Sequence, residues 1–190
     1  MALTATIYNF DIELADMDRQ VYETLSLRLA QHPSESDEYL VSRLLAYLIE
    51  YAEGIEFSGG VSDPDEPTIS VRDLTRKIKT WIEIGTPDAA RLHKAGKAAN
   101  RVAVYTHKDP ALLLKQLAGE KIFRAEELEL YALDRALING FVARLERRVA
   151  FSLSITDHEL YLSFSAATAG SPKGGDDNLT SRVARLSLNP

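Results

Sequence analysis

Lys79-Thr80-Trp81-Ile82-Glu83-Ile84-Gly85-Thr86-Pro87 decides how this chain folds. Residues 79–85 form its most apolar candidate strand, rich in the aromatic and β-branched residues that suit a pleated surface. Gly85 punctuates it. Thr86 then reads as a helix cap and Pro87 as the first helical residue, where a missing N–H costs nothing. This helix is expected to run to about Asn100, and Arg101-Val-Ala-Val-Tyr-Thr106 follows as a buried strand. A strand–helix–strand unit over 79–106 implies a parallel pair joined by a right-handed crossover. Upstream, 68–72 reads as a strand joined to 79–85 by a turn at 73–76. Those two are expected as antiparallel neighbours.

Working outward, Thr4 to Leu14 is rich in β formers, 15–18 makes a turn, and Val21 to Leu29 alternates. We read a strand hairpin, with a helix as the competing reading of the second half. His32-Pro33-Ser34 breaks the pattern, and Ser34 is a candidate cap with Asp37 and Glu38 in the first helical turn. Leu40, Val41, Leu44, Leu45, Leu48 and Tyr51 continue the helical stripe to about Glu53. Ile55–Ser58 reads as a short strand, Gly59-Gly60 and Asp63-Pro64 as a loop, and Pro110–Leu117 as a helix. A strand at 128–133 precedes a helix capped by Asp134 and reaching about Glu146. A hairpin of 149–155 with 159–164, a Gly/Ser/Ala/Asp loop over 166–178, and a final strand at 179–188 complete the chain. This predicts one mixed α/β domain over 1–190 with additional β hairpins.

The 190 residues are 45% hydrophobic and 26% charged, which suits an ordinary globular protein. No apolar run approaches the roughly 18 residues of a membrane span. The N-terminus has neither the basic region nor the apolar core of a signal peptide. There are no cysteines, so disulfides and thiolate metal sites are excluded, and a cytoplasmic location is expected. A net charge of −6 weighs against a protein that coats nucleic acid by charge alone.

Glu83 is an acid inside an apolar strand, which is costly without a charged partner or a metal. The acids Asp63, Asp65 and Glu66 precede the strand at 68–72. If 68–72 and 79–85 pair antiparallel, Glu66 and Glu83 lie at ends that meet. They then become candidates to share one Mg²⁺, with the Ile84 carbonyl as a further hard-oxygen ligand. Such an ion activates a water and steadies the leaving oxygen of a phosphodiester. The plainer alternative keeps the loop acids solvated and turns Glu83 to water from an edge strand. The following helix carries Arg91, Lys94 and Lys97, with Arg101 beyond it; 91, 94, 98 and 101 share a helical face. Lys94 is a candidate phosphate contact, against the plainer reading of a solvated basic face. The histidines at 32, 93, 107 and 158 have no metal-ligand spacing, and no phosphate-binding glycine loop or nucleophile elbow is present.

Met1 to Tyr8, His32-Pro33-Ser34-Glu35, Arg43-Leu44-Leu45-Ala46, Asp65-Glu66-Pro67, Trp81 to Asp88 and Lys94-Ala95 together resemble the YaeQ family of bacterial proteins over most of the chain. The resemblance implies a variant of the restriction-endonuclease-like fold, within the PD-(D/E)xK nuclease superfamily. It implies Glu66, or Asp65 in the literal Pro64-Asp65, as first acid and metal ligand, and Glu83 as second. Gly85 stands where the motif has lysine. Lys94 is the first replacement and Lys97 the second, and Glu35 or Glu38 is the candidate helix acid. The implied activity is Mg²⁺-dependent hydrolysis of DNA or RNA. The alternative is a non-catalytic descendant that binds nucleic acid or a protein, with a transcription-related role.

Overall fold

The computed structural model describes residues 4–58, 65–165 and 177–188. In chain order the elements are β1 (Thr6–Asp16), β2 (Val21–Gln31), α1 (Asp37–Ile49), β3 (Ile55–Phe57), β4 (Ile69–Arg72), β5 (Ile78–Ile84), α2 (Ala89–Ala98), β6 (Arg101–Thr106), α3 (Pro110–Leu117), β7 (Glu129–Ala132), α4 (Arg135–Val142), β8 (Arg148–Thr156), β9 (Glu159–Phe164), β10 (Asn178–Arg182) and β11 (Ala184–Leu186). The strands form two mixed sheets, so the fold is mixed α/β. The chain divides into two compact units: Met1–Val41 with Asp134–Val183, and Ser42–Leu133 with Ala184–Pro190.

The first unit holds the sheet β10-β9-β8-β1-β2. β1 and β2 pair antiparallel from Thr6↔Gln31 to Asp16↔Val21, so the strand reading of residues 21–29 holds over the helical one. The long return to β8 makes β1 and β8 parallel. Alternation then places Phe10, Ile12, Leu14, Val149, Phe151 and Leu153 on one buried face. Phe141 of α4 meets Phe10, Phe151 and Phe164 edge-on, with ring centroids 6.4, 5.1 and 5.1 Å apart. A fully buried Phe contributes roughly 1.5–3 kcal/mol.

The β8–β9 turn is tied to the β1–β2 turn by one carboxylate. Asp157 and His158 both have left-handed backbones, φ 53° and 62°. Their N–H groups donate to Asp18 at 2.8 and 2.9 Å. These backbone hydrogen bonds hold the Asp18 carboxyl below the ordinary carboxylate range. A lowered carboxylate pKa contributes stability above its unfolded value and loses it as pH falls through the folded value. Asp18→Asn is therefore expected to lower the thermal midpoint at neutral pH. The gap from the parent should close as pH falls below 3.8. A gap unchanged between neutral and strongly acid pH would refute this.

The second unit holds β11-β7-β6-β5-β4-β3. β4 and β5 pair antiparallel, β5 and β6 parallel, and α2 joins the latter two, as expected. β6, with parallel neighbours on both sides, is a nearly continuous apolar run because such strands are covered on both faces, while β5 carries Lys79, Thr80 and Glu83 among its apolar residues. Trp81, Val102, Val104 and Leu130 pack with Leu92 and Ala95 of α2 and Leu113 and Leu117 of α3.

Four local expectations are corrected. α1 starts at Asp37, and Ser36 rather than Ser34 accepts a first-turn N–H, from Tyr39. The cap of α2 is Asp88, not Thr86; its carboxylate accepts the Arg91 N–H at 2.8 Å, a charged acceptor where the helix N-terminus is positive. α4 stops at Val142 because the N–H groups of Arg144 and Leu145 bond back three residues, tightening the turn. The final strand is two strands. β10 lies in the first sheet and β11 in the second. The glycine-rich 166–176 and loop residues 59–64, including Asp63 and Pro64, lie outside the described residues.

Candidate functional site

Glu83 lies in an interior strand, between β4 and β6, and is 3% exposed, so it does not face water from an edge. Alternation puts it on the same side as Trp81, two residues away, whose indole Nε1–H donates to Oε1 at 2.5 Å. Arg91 Nε donates to the same oxygen at 2.8 Å. Thr68, just before β4, donates its hydroxyl to Oε2 at 3.0 Å. The Arg91 guanidinium also lies 6.0 Å from the Trp81 ring centroid, within cation–π range. Burial pushes the Glu83 carboxyl above its ordinary value. The Arg91 charge and the bonds from Trp81, Arg91 and Thr68 oppose that shift without cancelling it.

Arg91 continues past Glu83. Its Nη2 donates to the backbone carbonyl of Glu66 at 2.8 Å, so one guanidinium ties β5 to the segment before β4. One helical turn on, Lys94 makes an ion pair with Asp65. The carboxylate of Glu66 turns to Arg72 at 2.6 Å, and Arg72 also holds Glu56 at 2.6 Å. The acid side chains collected by α2 are thus Asp65 and Glu83. Glu66 contributes its carbonyl there, while its carboxylate serves Arg72.

The other sequence candidates lie elsewhere. Glu35 belongs to the first unit, where its Oε2 accepts the His32 N–H at 2.8 Å and closes the turn before α1. Glu38 lies in the first turn of α1. Lys97 is exposed in the last turn of α2. Gly85 is buried, has φ +88°, and donates its N–H to Tyr105 at 2.9 Å. This left-handed backbone strains any residue with a Cβ, so lysine is disfavoured here by geometry. Gly85→Ala is expected to cost about 1–3 kcal/mol, read from urea unfolding; an unchanged midpoint would mean the backbone relaxes freely.

The sequence reading missed the role of Arg101. It is not on the α2 face, because the helix ends at Ala98 and Arg101 opens β6. Its guanidinium is gripped by Glu50 at 2.6 and 2.9 Å and by Glu129 at 3.0 and 2.5 Å. Tyr105 donates to Glu50 and Tyr131 to Glu129, and the two rings stack 4.9 Å apart. Burial would lower the Arg101 pKa, but these carboxylates outweigh it and raise it. Separations of 28 and 51 residues leave no local pattern by which this network could be found.

No helix among the described residues is long and apolar enough to cross a membrane. The chain is similar to the uncharacterized protein YaeQ of Escherichia coli, 35% identical over 164 residues that cover 86% of this chain and 91% of that protein. The Salmonella typhi protein of the same description is 34% identical over the same shares. The crystal structure of YaeQ protein from Pseudomonas syringae aligns with TM-score 0.81 at 25% identity, covering 96% of each chain. That from Xanthomonas axonopodis pv. citri aligns with TM-score 0.80 at 30% identity, covering 96% of this chain and 98% of that one. The YaeQ protein family model matches residues 1–171. With the fold and most of its length shared, this chain belongs to the YaeQ family.

Proposed function

We propose that this chain is a Mg²⁺-dependent phosphodiesterase of the PD-(D/E)xK type, on a variant of the restriction-endonuclease-like fold. The supporting observation is that α2 holds both Asp65 and Glu83, through Lys94 and Arg91 one turn apart. Asp65 then serves as first acid, Glu83 as second, and Lys94 stands in for the lysine that Gly85 cannot supply. The donor chemistry fits. Asp65, Glu83 and the Ile84 carbonyl offer hard oxygens, and Arg91 already sets a positive charge against Glu83. Among the described residues no three His, Asp or Glu side chains are grouped to hold a metal.

When bound, Mg²⁺ lowers the pKa of a coordinated water and offsets charge on the phosphodiester. The chain's own residues do the rest. Burial by Trp81 and Thr68 fixes the Glu83 rotamer. Lys94 exchanges Asp65 for a phosphate oxygen or the attacking water. Arg91 keeps its anchors on Glu83 and on the Glu66 carbonyl and sets its positive charge toward the phosphate.

A different observation favours the second reading, a non-catalytic descendant that binds nucleic acid or a protein partner. Glu83 already takes three protein donors. One assay separates the two. Purified protein is incubated with labelled single- and double-stranded DNA and RNA, with Mg²⁺ or with EDTA. The first reading requires cleavage only with Mg²⁺. Retention of oligonucleotide without cleavage supports the second, and the absence of both cleavage and retention rejects both readings for nucleic acid.

A further inference from the structure

β2 is an edge strand of unusual reach. It has eleven residues against a mean strand of about 5–6. β1 pairs with it along its whole length without a register break. Its other side is the margin of the sheet. Among the described residues, no backbone hydrogen bond from another element reaches Val21–Leu29. An open row of N–H and C=O groups is a template for another strand, and proteins usually blunt it with Pro, Lys, a bulge or a short strand. Residues 21–31 contain neither Pro nor Lys, and no bulge interrupts them.

We propose that β2 pairs antiparallel with β2 of a second copy of this chain, with the two-fold axis at Leu25. The sheet then continues through the dimer. Self-complementarity selects this occupant. A two-fold perpendicular to the sheet keeps matching faces together only if one residue meets its own copy. Tyr22, Thr24, Ser26 and Arg28 share the outer face with Asp11 and Glu13, while Leu25 and Leu27 share the core side with Ile12 and Phe10. With the axis at Leu25, Tyr22 lies opposite the partner's Arg28, and symmetry repeats the pair. Tyr22 is 63% exposed, so its ring is available for that cation–π contact. Thr24 lies opposite the partner's Ser26, hydroxyl to hydroxyl. Leu25 and Leu27, half-buried at the open margin, are covered. Moving the axis to Ser26 sets Arg28 opposite the partner's Thr24 and loses both Tyr–Arg pairs.

The test is sedimentation of the intact chain over a range of concentrations, with a reversible dimer expected. T24K/S26K is the breaking variant. Within one chain these positions lie opposite Glu13 and Asp11, which tolerate lysine, so the fold should survive; circular dichroism checks this. Across the axis the introduced lysines face each other, and the variant should sediment as a monomer. The chain has no cysteine, so cross-linking is clean. Leu25→Cys should give a covalent dimer with diamide, and Glu23→Cys, whose copy lies away from the axis, should not. A monomer at every concentration overturns the proposal, as does a dimer that survives T24K/S26K or cross-links through position 23 instead. A parent that stays monomeric yet binds a foreign strand at this edge also overturns it.

Discussion

Replacing Lys94 with alanine is expected to lower Mg²⁺-dependent phosphodiester cleavage by about 100-fold or more, the scale of losing one preorganised charge from a transition state. The thermal midpoint should barely move. Lys94 and Asp65 have side chains 46% and 73% exposed, and exposed ion pairs contribute about 0–1 kcal/mol. Activity and stability thus separate at this residue, as they must if the ammonium acts on substrate. Lys94→Arg keeps the charge and the reach to Asp65 and should retain part of the activity. The measurement is kcat/KM across a Mg²⁺ titration, alongside thermal unfolding. Full activity in Lys94→Ala would remove Lys94 from the mechanism and leave Lys97→Ala as the next variant. Asp65→Asn serves as the matching control, because it loses the acid while leaving Glu83 and its partners in place.

Glu83→Ala is expected to destabilise the fold by about 3–5 kcal/mol, the usual result of removing one partner of a buried ion pair. Two buried-side donors, the Trp81 indole N–H and the Arg91 guanidinium, lose their shared acceptor, and a cavity is left between β5 and α2. Glu83→Gln should cost far less. Its amide oxygen retains the bonds from Trp81 and Arg91, and its NH₂ can donate to Thr68. The pH dependence has a definite sign. The folded Glu83 carboxyl titrates above its ordinary value of 4.5 because burial disfavours the charge. A raised pKa contributes stability that is full below the unfolded value and lost as pH rises through the folded one. Glu83→Gln should therefore gain stability relative to the parent as pH rises from about 4.5. Urea unfolding at several pH values reads both effects. A small loss in Glu83→Ala would show that water replaces the carboxylate readily. A Gln variant that loses ground with rising pH would show that Arg91 outweighs burial.

Elements whose order was carried by local chemistry were readable in the chain itself. Gly85 ending an apolar run, the turn at 73–76, Pro110 opening a helix and the alternation of 149–164 each act over a few residues. Period and punctuation therefore defined the β4–β5–α2–β6 unit and the hairpins. Caps were less legible. Ser34 and Ser36, or Thr86 and Asp88, are near-equivalent by residue type. Only the path of the chain decides which oxygen meets the N–H groups. The split of the last strand is marked only by a one-residue shift in apolar phase, from Leu179 and Val183 to Ala184, Leu186 and Leu188, and the change of strand partner itself is decided by the tertiary fold.

For the site, the sequence alone determined that Glu83 is an acid where an apolar residue belongs, and that basic residues recur one helical turn apart just after it. Both follow from burial cost and the 3.6-residue period, which are local. Tertiary structure decided the pairing: Asp65 with Lys94, Glu66 with Arg72, Glu83 with Arg91, and Arg101 away from the site with Glu50 and Glu129. Charge type is written in each residue, but which opposite charge lies within reach depends on how distant segments cross, and electrostatic attraction at 3 Å carries no record of sequence separation.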